Sequence, residues 1–545
     1  MTPLKQVRLP VSKSLCIRKL VYDFLNNGRV GEIPDEAPAD VEVVHDALEV
    51  IASALKRRSS ETEMNANVSF GVESEKSAAE ESKLGHTVES EELSKAKPVV
   101  IDVHDCGAAY RFLMAVLAVT PGQWLLTGTE RLLQRPIEEL VEALRSIGAE
   151  IQWYSCIDVP WHVYTTNVDE IFCRDAKFCV STNNGEMVSR GDARPCVSTN
   201  AKQGWLIHGK NLHASDLTID CHRSGQFASA LLLIGGKIGL KNLRILPENP
   251  SSLSYIEMTK AVVKGSVTLD EKYLADWSAA VYWYAHLLLS RGHKSSVWAT
   301  ESGGVTYTDL SNSVTVPASC GISKDFDAQQ SYKLLHLDMN SIQSDAVIAC
   351  WFADWGIESR QEDDGVIISY KENLIKPQET IELDMSQNLD LVPVLACMAC
   401  LWPKKMIFNG VANLKFKESD RLQIIQEQLS AFADIELKAY KGVVDNQLVI
   451  NPRRDEWSCV SATNYDANSG RDSMQCVSIN CSNANDLNCP DADFVFDAHN
   501  DHRFVMGFSL FALKGMVYIK GFDSVKKSYP DFHAEGVVGG TDIVG

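Results

Sequence analysis

The sequence predicts an α/β (α+β) protein built from two similar domains, and three observations carry that prediction. One unit occurs in both halves of the chain: WLLTGTERLLQRPIEELVEALRSIGAEIQWY (124–154) and MIFNGVANLKFKESDRLQIIQEQLSAFADIEL (406–437) each run from an apolar strand through a charged loop into an amphipathic helix and a second strand. A weaker copy, LKNLRILPENPSSLSYIEMTKAVVKGSVTL, occupies 240–269. The chain has 545 residues, of which 45% are hydrophobic, enough to fill more than one core.

Taken in order, the elements begin with LPVSKSLCIRKL (9–20), which gathers Lys13, Arg18 and Lys19 at the start of a helix although the chain carries a net charge of −20. Residues 56–97 read as a flexible acidic insertion, because Glu61 to Glu92 holds nine Glu against two Lys and a single aromatic, Phe70. FLMAVLAV (112–119) is a core segment, and in the first full unit Ile137, Leu140, Val141, Leu144 and Ile147 form one helical face. Residues 166–204, 293–330 and 455–492 lose periodicity and read as polar surface insertions; CVS recurs at 179, 196 and 459. Trp277, Trp283 and Tyr284 read as core aromatics, Asp276 as a residue near a crossing between domains, and LVPVLACMACLW (391–402) as a buried helix. In the second unit Leu422, Ile425, Leu429 and Phe432 face the core.

Composition excludes several classes. With 52 basic against 72 acidic residues, the field of the whole chain repels nucleic acid and anionic membranes, so neither is expected as a partner. No apolar run reaches the 18 residues of a membrane span, and the N-terminus lacks the apolar core of a signal peptide; the expected location is the cytoplasm. The fifteen cysteines then read as reduced thiols. Cys397 and Cys400 form a CxxC inside an apolar helix with no second pair, which favours packing over zinc, and no metal site is expected.

Positive charge against that acidic background concentrates in SKSLCIR (12–18), ERLLQRPIEEL (130–140), NLKFKESDRL (413–422), NDHRF (500–504) and KKSYPDF (526–532). Most fall at strand-to-helix loops or first helical turns, where free N–H groups and the helix dipole favour phosphate or carboxylate. In order along the chain, LPVSKSLCIR, GTERLLQRPI, SGQ (224–226), SLSYIEMT (252–259), ADWSAAVYWY (275–284), NLDLVP (388–393), NLKFKESDR, NDHR and KSYPDF resemble the motif series of the enolpyruvyl transferases, in the branch that acts on shikimate 3-phosphate. DWSAAVYWY, and RFL after GAAY, are similar to the variant of Bacteroidetes-type bacteria.

The resemblance implies six βαβαββ units arranged as an inside-out barrel in two domains: 14–273, and 1–13 with 274–545. It implies transfer of the enolpyruvyl group of phosphoenolpyruvate to the 5-hydroxyl of shikimate 3-phosphate in chorismate and aromatic amino acid biosynthesis, by a monomer without cofactor. Phosphoenolpyruvate would be held by Lys13, Gly107, Arg135, Gln226, Arg421, Arg503 and Lys527. Shikimate 3-phosphate would be held by Lys13, Ser14, Arg18, Ser224, Gln226, Ser252, Tyr255, Asp390, Asn413 and Lys417. Asp390 would take the hydroxyl proton, Glu418 would deliver one to the methylene, and Lys13 is a second candidate for proton transfer, at the leaving phosphate. His502 reads as an orienting residue and Lys19 as solvated.

Several positions depart from the family pattern. Asp105 replaces an Asn, and His104, Ala108, Ile17, Gly225, Leu253, Ser254, Leu274 and Leu389 also differ. A carboxylate at 105 repels a trianionic substrate unless it turns away or pairs with a cation. Two alternatives follow: a drifted relative that binds a phosphorylated ligand with little turnover, and the branch acting on UDP-N-acetylglucosamine. Against the latter stand Ser12, Lys13 and Ser14 where that branch has AKN, and Glu130 where it carries a reactive Cys.

Overall fold

The computed structural model describes residues 4–69, 98–155, 203–265, 275–290, 296–299, 305–309, 312–316, 331–453, 494–532 and 543–544, apart from 35, 372, 373, 377 and 516. Strand β1 (Lys5–Arg8) leads into α1 (Lys13–Asn27), and α2 (Ala39–Ser69) packs against it. A complete βαβαββ run follows: β2 (Val99–Asp102), α3 (Gly107–Val119), β3 (Gly122–Thr127), the single turn α4 (Glu130–Leu133), α5 (Glu138–Ser146), β4 (Glu150–Tyr154) and β5 (Gly204–Gly209). Its sheet has the order β2-β3-β5-β4, with β2 and β3 parallel and the other pairs antiparallel. Next come the parallel strands β6 (Asp216–Asp220) and β7 (Asn242–Leu246), joined by α6 (Gln226–Ile238) and followed by α7 (Leu253–Val263).

The second half opens with α8 (Trp277–Leu289) and an antiparallel sheet of β8 (Ser296–Ala299), β9 (Val305–Asp309) and β10 (Asn312–Val316). Strand β11 (Ser331–Leu335) pairs in parallel with β1, and α9 (Ile348–Asp354), β12 (Ile357–Glu362) and β13 (Gly365–Tyr370) complete the sheet β1-β11-β13-β12. A second complete βαβαββ run comprises β14 (Thr380–Asp384), α10 (Val392–Leu401), β15 (Lys405–Asn409), α11 (Arg421–Leu429), β16 (Ala433–Tyr440) and β17 (Val443–Pro452). Its order, β14-β15-β17-β16, repeats that of the first run. Parallel strands β18 (Phe494–Asp497) and β19 (Val517–Lys520), linked through α12 (His502–Ser509), end at β20 (Ile543–Val544).

The apolar faces fill two large cores. One joins residues between Cys16 and Ile256; the other joins residues between Ala275 and Phe532 and takes in Val7 and Leu9 of the N-terminal segment. Next to this return of the N-terminus, Val11 bridges Ala275 and the Asp276 amide donates to the Pro10 carbonyl at 2.9 Å. Trp277, Trp283 and Tyr284 are buried in the second core, as are Cys397 and Cys400, whose thiols burial pushes up. Among the described residues no helix is long and apolar enough to cross a membrane.

Two of the stretches read as insertions contain regular secondary structure. Residues 56–69 continue α2, as the helix propensity of their Lys, Arg, Glu, Met and Ala residues allows. Part of 293–330 forms β8 to β10, where Val, Thr and Tyr supply strand propensity without a core-facing alternation. The remainder of these stretches, most of 166–204 and 455–492, and the CVS pieces at 179, 196 and 459 lie outside the described residues.

Candidate active site

A cleft opens between the two cores, at the helix starts that the charged segments occupy. Residues from both halves line it. Lys13 and Arg18 come from α1, Arg111 from α3, Arg135 from the loop before α5, Gln226 from α6 and Tyr255 from α7. From the other side come Asp390 in the 3-10 turn Leu389–Leu391, with Lys417, Glu418 and Arg421 at the entry to α11. Ser14, Gly107, Ser224, Ser252 and Asn413 also line it.

Helix α1 begins where Ser12, in extended backbone, gives way to Lys13. The Lys13 ammonium lies 2.9 Å from Asp40 and 3.9 Å from Glu418. Burial works to discharge it, but those two carboxylates prevail and raise its pKa, so it stays protonated. One turn later Arg18 is 2% exposed and donates to Thr259 Oγ1 at 2.8 Å and to the Ser14 carbonyl at 2.7 Å, with its Nη2 left without a partner. Burial pushes this guanidinium down to about 10. Lys19 pairs instead with Asp23 one helical turn on.

Arg111 and Arg135 meet at the start of α3. Arg111 is held by the carbonyls of Pro136 (3.0 Å) and Gly107 (3.2 Å), and donates to Gln226 Oε1 at 2.9 Å. Arg135 passes close to Gly107: a Cβ built there would stand 2.8 Å from its Cζ. Burial lowers the pKa of both. Among the described residues neither has a carboxylate within ion-pair range. Arg223, by contrast, is neutralised by Glu138 (2.9 Å) and Glu139 (2.5 Å).

On the opposite wall the cations are already paired. Arg421 is 1% exposed and bridges Asp501 and Asp390, each at 2.8 Å; Lys417 lies 3.2 Å from Asp390. Burial tends to protonate Asp390, but Lys417, Arg421 and Arg503 outweigh it and hold the carboxyl well below its ordinary range. The Tyr255 hydroxyl donates to Asp390 at 3.4 Å. Glu418 lies 2.9 Å from His502 Nδ1, and against the effect of burial its contact with His502 and the charges of Lys13 and Lys527 hold it ionised. Burial lowers the His502 pKa, which favours a neutral imidazole orienting Glu418. Glu418, Asp501 and His502 bring potential metal-ligand atoms within 4.8 Å of one another, but Asp501 is engaged by Arg421 and by Ser419 at 2.9 Å.

Arg503 and Lys527 do not line the cleft. Arg503 lies buried beside Asp276 at 3.6 Å, and Lys527 pairs with Asp105 while donating to the Asn500 carbonyl at 2.9 Å. Sequence reasoning did not single out Asp40, Arg111 or Arg223 as cleft residues. Asp40 reads as an ordinary acidic residue of a first helical turn, and Arg111 is hidden in an apolar run.

Two βαβαββ runs of the same strand order thus flank a cation-rich cleft between their cores. The model of the EPSP synthase (3-phosphoshikimate 1-carboxyvinyltransferase) family matches residues 46–175 and 329–439 of the chain. A 3-phosphoshikimate 1-carboxyvinyltransferase of Bacteroides fragilis (strain YCH46) is 26% identical over 351 residues, 61% of this chain and 65% of the relative. One from Methanosphaerula palustris is 25% identical over 454 residues, covering 82% of this chain and 80% of the relative. The chain thus spans somewhat less than two thirds of the Bacteroides protein's length. An EPSP synthase structure from Acinetobacter baumannii aligns over 98% of this chain and 96% of that one, at 15% identity and a TM-score of 0.43.

Proposed function

We propose that this protein transfers the enolpyruvyl group of phosphoenolpyruvate to the 5-hydroxyl of shikimate 3-phosphate and releases inorganic phosphate. The observation that carries the reading is the buried trio Arg18, Arg111 and Arg135 on one wall of the cleft, without carboxylate partners among the described residues. Buried guanidinium groups are costly unless an anion completes them, and their planar donors suit phosphate and carboxylate. Arg135 faces Lys13 and Arg421 as one anion site; Arg18, with its free Nη2, Ser14, Ser224 and Ser252 form a second. That division fits one ligand carrying a phosphate and a carboxylate beside another carrying a phosphate and hydroxyls.

On this reading Asp390 accepts the proton of the attacking hydroxyl. Its ionised state is secured by Lys417 and Arg421, and a hydroxyl hydrogen-bonded to it would be oriented toward C2 of the enol. Glu418 serves C3. It is ionised without ligand, and a trianion placed beside it raises its proton affinity, so substrate binding itself would favour protonation of the acid, with His502 orienting the carboxylate. Lys13 and Arg135 meet the charge that moves onto the departing phosphate. Two domains, 14–273 and 1–13 with 274–545, are proposed on the two cores. Their closure over the substrates would bring in Arg503 and Lys527 and exclude water. The reading carries with it a cytoplasmic monomer that needs no cofactor.

A phosphate-release assay with both substrates tests the proposal. Release should require both and be abolished by Asp390→Ala; no release at millimolar substrates, or an unaffected Asp390→Ala variant, would overturn it.

A further inference from the structure

Three consecutive residues, Gln343, Ser344 and Asp345, strap together two segments that carry charges of the site. Gln343 donates to the Ala275 carbonyl at 2.8 Å and accepts from the Trp277 amide at 3.3 Å. Ser344 donates to the Gln387 carbonyl at 3.3 Å. Asp345 completes the strap: one carboxylate oxygen accepts from the Ser278 hydroxyl and the other from the Asn388 side-chain amide at 2.8 Å. Ser278 stands in the first turn of α8, whose capping residue Asp276 lies against Arg503. Asn388 immediately precedes the turn that carries Asp390. A small cavity, lined by Ser14, Tyr255, Asp276, Ser278, Gln343 and Asp345 among others, lies between this strap and residues of the main cleft.

We infer that Asp345 is a positioning residue for the reaction proposed above, holding Asp390 and Arg503 in mutual register through Asn388 and Ser278. The carboxylate is 2% exposed and, among the described residues, has no lysine or arginine within ion-pair distance. A buried carboxylate held only by neutral donors is an expensive way to join two segments. What the charge adds is its effect on Asp390: an ionised Asp345 repels a negative Asp390 and favours proton uptake there, against Lys417 and Arg421. Burial pushes Asp345 up to about 6, Asp390 adds to that and Arg503 opposes it, with Tyr255 and Asp276 the other titratable groups that face this cluster. Asp345 is therefore charged through the neutral range and neutral in mild acid.

The experiment compares wild type, Asp345→Ala and Asp345→Asn by phosphate release from both substrates across pH 5 to 9, with thermal melts of each full-length chain. Asp345→Ala should lower kcat at least about tenfold with both KM values within about threefold, in a protein that still melts cooperatively. Asp345→Asn keeps the volume and can still accept from Asn388, with its own amide donating to the Ser278 hydroxyl in place of accepting from it, but cannot ionise; it should lower kcat and remove an acid limb near pH 6 from the wild-type profile. A folded Asp345→Ala variant with kcat within about twofold of wild type would overturn the inference. If the alanine variant does not fold, Asp345→Asn decides: wild-type kcat with an unchanged pH profile overturns it. Wild type that releases no phosphate overturns the reaction itself, an outcome separate from variants that match an active wild type.

Discussion

The Lys527 ammonium lies against the carboxylate of Asp105, so a cation expected to meet phosphoenolpyruvate is held instead by the one acidic residue that departs from the family pattern in that loop. Asp105 belongs to the loop before α3 and Lys527 to the turn after β19, so the pair also spans the two halves. A trianionic substrate must compete with this internal anion. Asp105 is 39% exposed, and solvent limits such a pair to about 1 kcal/mol or less. Asp105→Asn should therefore lower KM for phosphoenolpyruvate about three- to fivefold while leaving kcat and KM for shikimate 3-phosphate within about twofold, and the gain should shrink as salt rises. Steady-state kinetics at low and high ionic strength check this; an unchanged KM would show that Asp105 does not mask Lys527.

Gly107 fails to accept a side chain for a reason that concerns Arg135, not the helix. A methyl group there meets the guanidinium, 2.8 Å from Cζ, and Arg135 has to move away from the cleft. Gly107→Ala should raise KM for phosphoenolpyruvate at least about tenfold, the cost of misplacing one charge-assisted contact. The melting temperature should hold or rise slightly, because alanine favours the first helical turn over glycine. Parallel kinetics and melting curves separate the two effects.

Much of this site was legible because helix starts advertise themselves: SKSLCIR, QRPIEEL and KESDR place cations where a strand hands over to a helix, and Lys13, Arg135 and Arg421 do line the cleft. Internal counter-ions were not legible. Asp40 reaches Lys13, Asp276 reaches Arg503 and Asp105 reaches Lys527 only through the packing of distant segments. The same limit hid the Asp345 strap, since nothing in NSIQSDAV marks a carboxylate that joins Ser278 to Asn388. In the fold, the repeat of mixed units anticipated the two runs of equal strand order, whereas β8 to β10 escaped because their Thr and Ser residues mimic loop composition.

Stability in the absence of substrates should fall on acidification below about pH 4. Asp390, Glu418 and Asp501 have depressed folded-state pKa values, so the stability they contribute is present above their unfolded values and is lost as pH falls through the folded ones. Asp345 has the opposite sign. Its pKa of about 6 means that ionisation opposes folding above pH 6, a cost relieved as pH falls toward its unfolded value. Asp345→Asn should therefore stabilise the protein at pH 8, by about 3 kcal/mol at most, and leave it unchanged at pH 4. Melting temperatures of both proteins across this range test the sign; equal melting at pH 8 would mean that Asp345 folds without strain on its charge.

Lys13 and Arg18, five residues apart on α1, should fail differently when removed. The Lys13 ammonium sits beside Asp40 and Glu418 among the groups assigned to phosphoenolpyruvate, so Lys13→Ala leaves two buried carboxylates uncompensated where charge has to shift to the leaving phosphate. The expected loss is about 3 kcal/mol in kcat/KM for phosphoenolpyruvate, comparable to removal of an oxyanion donor, and most of it in kcat. Arg18 has no carboxylate to release; its guanidinium lies over the rings of Phe112 and Tyr255, and its Nη2 lacks a partner. Arg18→Ala should raise KM for shikimate 3-phosphate by roughly ten- to a hundredfold, the range for losing a charged hydrogen bond, with a smaller change in kcat. Kinetics with each substrate varied in turn distinguish the two patterns, and the same pattern in both variants would undo the division of the cleft into two anion sites.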